Sequence, residues 1–194
     1  MEKVSYSLGI SVAQNLLSSG VKNLDQNAFA KGILHGLTGV GAEMSPREVN
    51  DLLNEFFQSI QRESLEKNGL EGQRFLEENA QRPGVTVLPS GLQYEILLSG
   101  SGPKPKASDR VKCHYHGTLI DGTVFDSSVL RGTPSVFPVN GVIQGWVEAL
   151  QLMKTGDKWK LFIPSGLAYG ERGAGDSIGP NATLVFEVEL LEIV

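Results

Sequence analysis

Apolar positions along this chain keep a helical spacing at first and then fall into alternation. Near the start, Val4, Leu8, Val12 and Leu16 recur every four residues with Ala13 and Leu17 beside them, which predicts a helix over about residues 5–18, ended by Gly20. Asp25 stands where it can cap a second helix with the stripe Phe29, Ile33 and Leu37, and Gly32 and Gly36 leave a smooth strip for another helix. A third helix has three separate reasons to begin at Ser45. The Ser45 hydroxyl accepts from a free backbone N–H, Pro46 needs no donor at the first helical position, and Glu48 completes a capping box. Val49, Leu52, Leu53, Phe56, Phe57 and Ile60 then make a broad apolar face. The stripe thins after Ile60, yet helix formers continue to Ala80 and Pro83 stops them, so one helix over 46–80 is expected, roughly 50 Å long at ~1.5 Å per residue. Gly69 and Gly72, each costing about 1 kcal/mol against Ala, suggest a bend in its middle.

Beyond Arg82-Pro83-Gly84 the period shortens to two. Gly91 to Leu97 alternates, as does the run in which Val111, Cys113 and Tyr115 interleave with Lys112, His114 and His116, the pattern of a strand with one buried face. Asp121-Gly122 supplies a tight hairpin turn that returns through Val124 and Phe125 to Asp126. Residues 142–146 open a short apolar helix around Trp146, and residues 158–163 and 183–190 are further strands. The expected fold class is α+β, an all-α region over 1–86 with a long connecting helix, then an antiparallel sheet wrapped over one short helix in 87–194.

Composition narrows the function more than the fold. A chain of 194 residues with 40% hydrophobic content is globular, one large domain or two small ones. Its net charge of −5 is spread over both parts, with 8 basic and 11 acidic residues in 1–86 and 9 and 11 in the remainder, so no basic patch points to nucleic acid or anionic lipid. No stretch is apolar enough for a membrane span, and the first twenty residues lack the apolar core of a secretory leader. Cys113 is the only cysteine, which excludes an internal disulfide and suits a reducing cytoplasm; a leader already removed would leave the same sequence in an exported protein. Two short helices and half of a third make too small a core to stand alone, so they pair with a second copy or fold back on their own sheet domain.

Several chemical readings fail on spacing. His114 and His116 share a strand face without a third ligand, so no metal centre is expected. The run Gly170-Glu171-Arg172-Gly173-Ala174-Gly175 lacks the Lys-Ser/Thr ending of a phosphate loop and reads as a mobile flap beside a pocket. On residue type alone Phe125, Trp146 and Phe186 are ordinary core, Asp126 before Ser127-Ser128 is a turn former, and Tyr169 is a loop anchor.

Taken together, the segments HYHGTLIDGTVFDSS, GVIQGW, GLAYGERG and PNATLVFEVELLEI resemble, in order and spacing over residues 91–194, an FKBP-type peptidyl-prolyl cis-trans isomerase. The part before them is similar to the amino-terminal half of the bacterial dimeric subclass that includes the macrophage infectivity potentiators. The resemblance implies an FKBP-like fold and isomerisation of X–Pro bonds in unfolded or partly folded proteins without a cofactor. It further implies a homodimer joined through the amino-terminal helices, chaperone-like binding of proline-containing clients, and inhibition by macrolide immunosuppressants. Carried over by position, the catalytic group is Tyr115, Asp126, Tyr169 and Phe186, and the substrate-binding group is Phe125, Arg131, Phe137, Val142, Ile143, Trp146 and Ile178. Trp146 is the implied floor, Phe125, Phe137 and Phe186 the walls, and the Ile143 backbone and Tyr169 phenol the hydrogen-bonding groups. Ser135 replaces a common rim aromatic, Ala174 a loop His, and Gly179-Pro180 a Pro-Pro pair, which bears on substrate preference and loop stiffness. The rival reading is a non-catalytic binding module or holdase that grips proline segments.

Overall fold

The computed structural model describes residues 1–194. Helices α1 (Glu2–Ser18), α2 (Gln26–Thr38) and α3 (Pro46–Ala80) come first. Local chemistry sets their ends. The Asp25 carboxylate accepts from the Asn27 and Ala28 N–H groups, each at 2.9 Å, and Gly39 closes α2 at φ +68°. At the start of α3 the Ser45 N–H donates to Glu48 Oε2 at 2.8 Å while the Glu48 N–H donates to Ser45 Oγ at 3.3 Å, a reciprocal capping box.

Two compact units divide the chain, Met1–Glu63 and Ser64–Val194. In the first, only Val21 is buried; the stripes read from the sequence form, but Leu8 is 63% exposed and Leu53 47%. The second unit is built on a seven-stranded antiparallel sheet. Its strands are β1 (Val85–Val87), β2 (Gln93–Leu98), β3 (Arg110–Leu119), β4 (Val124–Ser127), β5 (Ser135–Pro138), β6 (Lys158–Ile163) and β7 (Leu184–Ile193). They run in the order β1-β2-β6-β7-β3-β4, with β5 pairing on the first half of β3. Helix α4 (Gln144–Leu152) lies across the sheet and buries Trp146, Ala149 and Leu150 against Val111, Cys113, Leu161, Phe186 and Val188. Gly145 permits that approach, since a Cβ there would sit 2.6 Å from Ile163 Cγ2. No helix is long and apolar enough to cross a membrane.

One sequence expectation changes. Asp121-Gly122 does make the β3–β4 turn, but as the end of a three-residue loop. The Gly122 N–H reaches Leu119 O at 3.1 Å, Gly122 adopts φ +88°, and Leu119 N–H closes on Thr123 O at 2.9 Å. Helix α3 is continuous through Gly69 and Gly72. These glycines are points of contact: a Cβ on Gly72 would lie 2.4 Å from Thr183 Oγ1, and one on Gly69 would lie 3.5 Å from Asn181 Nδ2. The inward face continues through Leu65, Asn68, Gly69, Gly72, Leu76 and Asn79, with Gly72 and Asn79 buried and the others half-buried, and its small and amide side chains are ones that a hydrophobic pattern does not register. Asn79 donates to Gln93 Oε1, and Gln93 donates to the Leu76 carbonyl, both at 2.8 Å. Residues 64–80 therefore belong to the sheet unit by packing, and the boundary between compact units precedes the Arg82–Gly84 break.

Candidate active site

The concave face between α4 and the strands β3, β4, β5 and β7 encloses a cavity of about 780 Å³. Trp146 forms its base, 4% exposed. Its position follows from the chain just before it. Ile143 stays extended at φ −60°, ψ 150° and caps α4, and its carbonyl accepts from the Trp146 N–H at 2.9 Å, so the indole is delivered in the first turn. Three rings meet it nearly edge-on, Tyr115 at 5.5 Å, Phe137 at 5.8 Å and Phe186 at 5.3 Å between centroids. Such perpendicular contacts place positive ring edges on negative faces and fix the rings relative to one another.

Phe125 owes its place to an irregularity. Gly117 pairs with Asp126 and Thr118 with Val124, which leaves Phe125 as the extra residue of a bulge. Its ring stands 5.3 Å from that of Phe186 at 81°. Both rings sit over Gly117, where a Cβ would come within 2.7 Å of Phe125 Cε2 and 2.8 Å of Phe186 Cε1. A side chain at residue 117 would fill the space those rings occupy.

A polar ring closes one side. Arg131 donates from Nη1 to Asp126 Oδ1 and from Nη2 to the Tyr115 hydroxyl at 2.8 Å, and that hydroxyl donates to Asp126 Oδ2 at 2.5 Å. The guanidinium carbon also lies 5.6 Å from the Tyr115 ring centre. Burial pushes the Asp126 carboxyl up, but the Tyr115 and Arg131 hydrogen bonds and the Arg131 charge outweigh it and hold the group below its ordinary value. Burial raises the Tyr115 phenol, the bond to Asp126 raises it further, and Arg131 offsets part of the rise. The rim thus carries an ionised carboxylate beside a neutral phenol.

The far wall is the segment after β6. Tyr169, 40% exposed, stands before a short helical turn at Gly170–Arg172. The glycine-rich run lies beside the cavity and is bridged by backbone hydrogen bonds. Ala174 N–H donates to Ile178 O at 2.8 Å, Ile178 N–H returns to Ala174 O at 3.1 Å, and Asn181 N–H donates to Gly170 O at 2.9 Å.

Ten of the eleven residues singled out in the sequence line this cavity: Tyr115, Phe125, Asp126, Phe137, Val142, Ile143, Trp146, Tyr169, Ile178 and Phe186. Arg131 stands behind the lining and reaches it only through Asp126 and Tyr115. Gly141, Gly175 and Ser177 also line it and carry no periodic signal. Gly117 did leave one, a glycine interrupting the alternation of β3, which marks a bulge or a close approach. Of the three departures only Ala174 lines the cavity; Ser135 pairs with Cys113 on β5, and Gly179 faces α3. His114 and His116 bond to the Ser128 and Ser127 hydroxyls.

Two family models match the chain. One, described as FKBP-type peptidyl-prolyl cis-trans isomerase, covers residues 102–191; the other, described as a domain amino terminal to FKBP-type peptidyl-prolyl isomerase, covers residues 1–96. The "FKBP-type 22 kDa peptidyl-prolyl cis-trans isomerase" of Escherichia coli strain K12 is 50% identical, over 99% of this chain and 95% of that protein. The "Outer membrane protein MIP" of Legionella longbeachae is 42% identical over 99% and 85%. Among solved structures, FkpA from Escherichia coli superposes with a TM-score of 0.74 at 36% identity, covering 98% of this chain and 95% of that one. Full-length identity at this level, with the whole fold matched, means that the chain belongs to the family of FKBP-type peptidyl-prolyl cis-trans isomerases.

Proposed function

We propose that this protein accelerates rotation about X–Pro bonds in unfolded or partly folded polypeptides by taking the bond into the aromatic cavity, with no nucleophile, metal or cofactor in the step. Uncatalysed rotation must break amide resonance against a barrier of roughly 18–20 kcal/mol. Half-rotated, the amide loses its dipolar resonance form and with it the advantage of water. An apolar, water-excluding surface therefore binds the twisted form better than the solvated planar one. About 4 kcal/mol of such preference gives roughly a thousandfold acceleration.

The observation that carries this reading is the convergence of Trp146, Phe125, Phe137 and Phe186 on one cavity with a single carboxylate on its rim. Trp146 seats the proline ring between the three phenylalanines, and Val142 and Ile143 line one side. The Ile143 N–H and the Tyr169 phenol donate to substrate carbonyls. Asp126, oriented by Tyr115 and Arg131, faces the displaced carbonyl, whose carbon is the positive end. Macrolides that mimic a twisted prolyl amide would occupy the same space. A protease-coupled assay on an X–Pro peptide tests this: Asp126→Ala and Phe186→Ala should each lower turnover with the fold retained. Peptide binding without acceleration by the unmodified protein would leave the binding-module reading in its place.

Association belongs to the same proposal, with residues 1–86 joining two copies and 87–194 presenting the pocket. It is supported by the open stripes of the first unit, where Leu8, Leu37, Leu53, Phe56 and Phe57 are all exposed. Two pockets on one dimer raise the local concentration of binding sites for an extended, chaperoned client. Sedimentation should give a dimer at micromolar concentration and a monomer for Leu53→Asp combined with Phe56→Asp; a monomeric unmodified chain overturns it. The single buried thiol supports a reducing, cytoplasmic setting, which fractionation of cells would test.

A further inference from the structure

The far wall of the cavity is not held by the sheet alone. Asn68, on α3, donates from Nδ2 to the Pro180 carbonyl at 2.8 Å, across 112 residues of sequence. Three residues earlier on the same face, the Leu65 carbonyl accepts from Asn181 Nδ2 at 3.4 Å. Asn181 adopts φ +54°, and its N–H holds Gly170 O, the residue after Tyr169. Pro180 follows Ile178-Gly179, and Ile178 lines the cavity and is cross-bonded to Ala174. Gly179 packs closely on Asn68, because a Cβ there would lie 3.0 Å from Asn68 Nδ2.

We infer that Asn68 is a positioning residue of the isomerase site: its amide, acting through Pro180 and Asn181, sets where Ile178, Ala174 and Tyr169 stand on the cavity wall. The inference rests on the isomerase reading above, and it gives the second half of α3 a part in substrate recognition. Pro180 has no N–H of its own to spend on a neighbour, so the segment's carbonyl is its handle, and a side-chain amide is the group that reaches it. Leu65, Asn68, Gly69 and Gly72 lie on one helical face, which keeps the donor at a fixed height above the segment. Ala174 and Ile178 line the cavity away from the Trp146 base and the ring walls, so their shift should alter preference among X–Pro sequences more than the intrinsic rotation step.

The test uses the full chain with Asn68→Ala, Asn68→Asp, which keeps the shape but loses the donor, and Gly179→Ala, which pushes on the same contact from the other side. Isomerisation is followed on a series of peptides differing only in the residue before proline. Expected is a fall in kcat/KM of about three- to tenfold carried mainly by KM, the size of one lost hydrogen bond, with a changed order of preference across the series. Lys67→Ala, on the exposed side of the same turn, should match the unmodified protein. Amide exchange at Ala174 and Ile178, read by NMR without any substrate, should speed up by about tenfold or more in all three variants. Unchanged preference and exchange overturn the inference, as does a uniform loss that tracks only the unfolded fraction. If the unmodified protein itself accelerates no peptide, the isomerase reading fails, and the exchange measurement still decides whether Asn68 holds the wall.

Discussion

Replacing Gly117 with alanine adds one methyl at the point where the two rings of the cavity wall meet. The new Cβ would lie 2.7 Å from Phe125 Cε2 and Cζ and 2.8 Å from Phe186 Cε1, where ordinary contact begins at 3.4 Å. The backbone is no obstacle, because residue 117 lies in a strand and is not among the positive-φ glycines. The strain falls on the rings, which must retreat by roughly 1 Å, and Phe186 is backed by Trp146 at 5.3 Å. Overpacking of this kind costs about 1–3 kcal/mol of stability. A misplacement of roughly 1 Å at a reacting geometry costs up to about a hundredfold in rate. Gly117→Ala should therefore lower kcat/KM on an X–Pro peptide by roughly ten- to a hundredfold while lowering the melting midpoint by roughly 2–12 °C. Phe125→Leu in the same chain removes the struck ring edge, so the double variant should lose less activity than the two single losses combined. Unaltered turnover in Gly117→Ala would mean that these rings do not shape the reacting site.

Three further outcomes follow from particular contacts. The Asp126 carboxyl is held below its ordinary value of 3.8, so it stays ionised through neutral and mildly acidic pH, and what it contributes is lost only as pH falls through that lowered pKa; Arg131→Ala should move its midpoint upward in an NMR titration of the side-chain carboxyl, and an unmoved midpoint refutes the pairing. The pair is half exposed and screened by solvent, so the same change should leave the unfolding midpoint nearly where it is. Gly72→Ala should destabilise the fold in a denaturant titration, although alanine favours a helix by about 1 kcal/mol, because its Cβ would overlap Thr183 Oγ1; stabilisation would show that the close approach is absent. Cys113 is fully buried with its thiol pushed up to about 12, so it should resist alkylation at mildly alkaline pH until the protein unfolds.

Helix starts and the alternation of β3 were legible in the chain because each depends on near neighbours, whereas the aromatic set of the site was legible only through the resemblance of its motifs to a family. Ser45 and Glu48 cap a helix across three residues, and Val111, Cys113 and Tyr115 take one face because a strand repeats every two. What the second half of α3 packs against was not legible, for the opposite reason. Its inward face includes Asn68, Gly69 and Gly72, whose worth lies in partners more than a hundred residues away or in room for them, and Asn79, whose amide meets Gln93 fourteen residues on, and no local period records that.

The sequence by itself therefore determined the elements and the α+β class, since those follow from periodicity, capping and residue type, while the gathering of the aromatic rings was implied only by the resemblance of whole motifs to a family. Only the tertiary structure decided that Phe125 enters the cavity by way of a bulge, that Gly117 leaves room for two rings, and that α3 reaches the cavity wall through Pro180. Contacts of that kind are matters of distance in space, and spacing along a chain does not encode them until the sheet has closed.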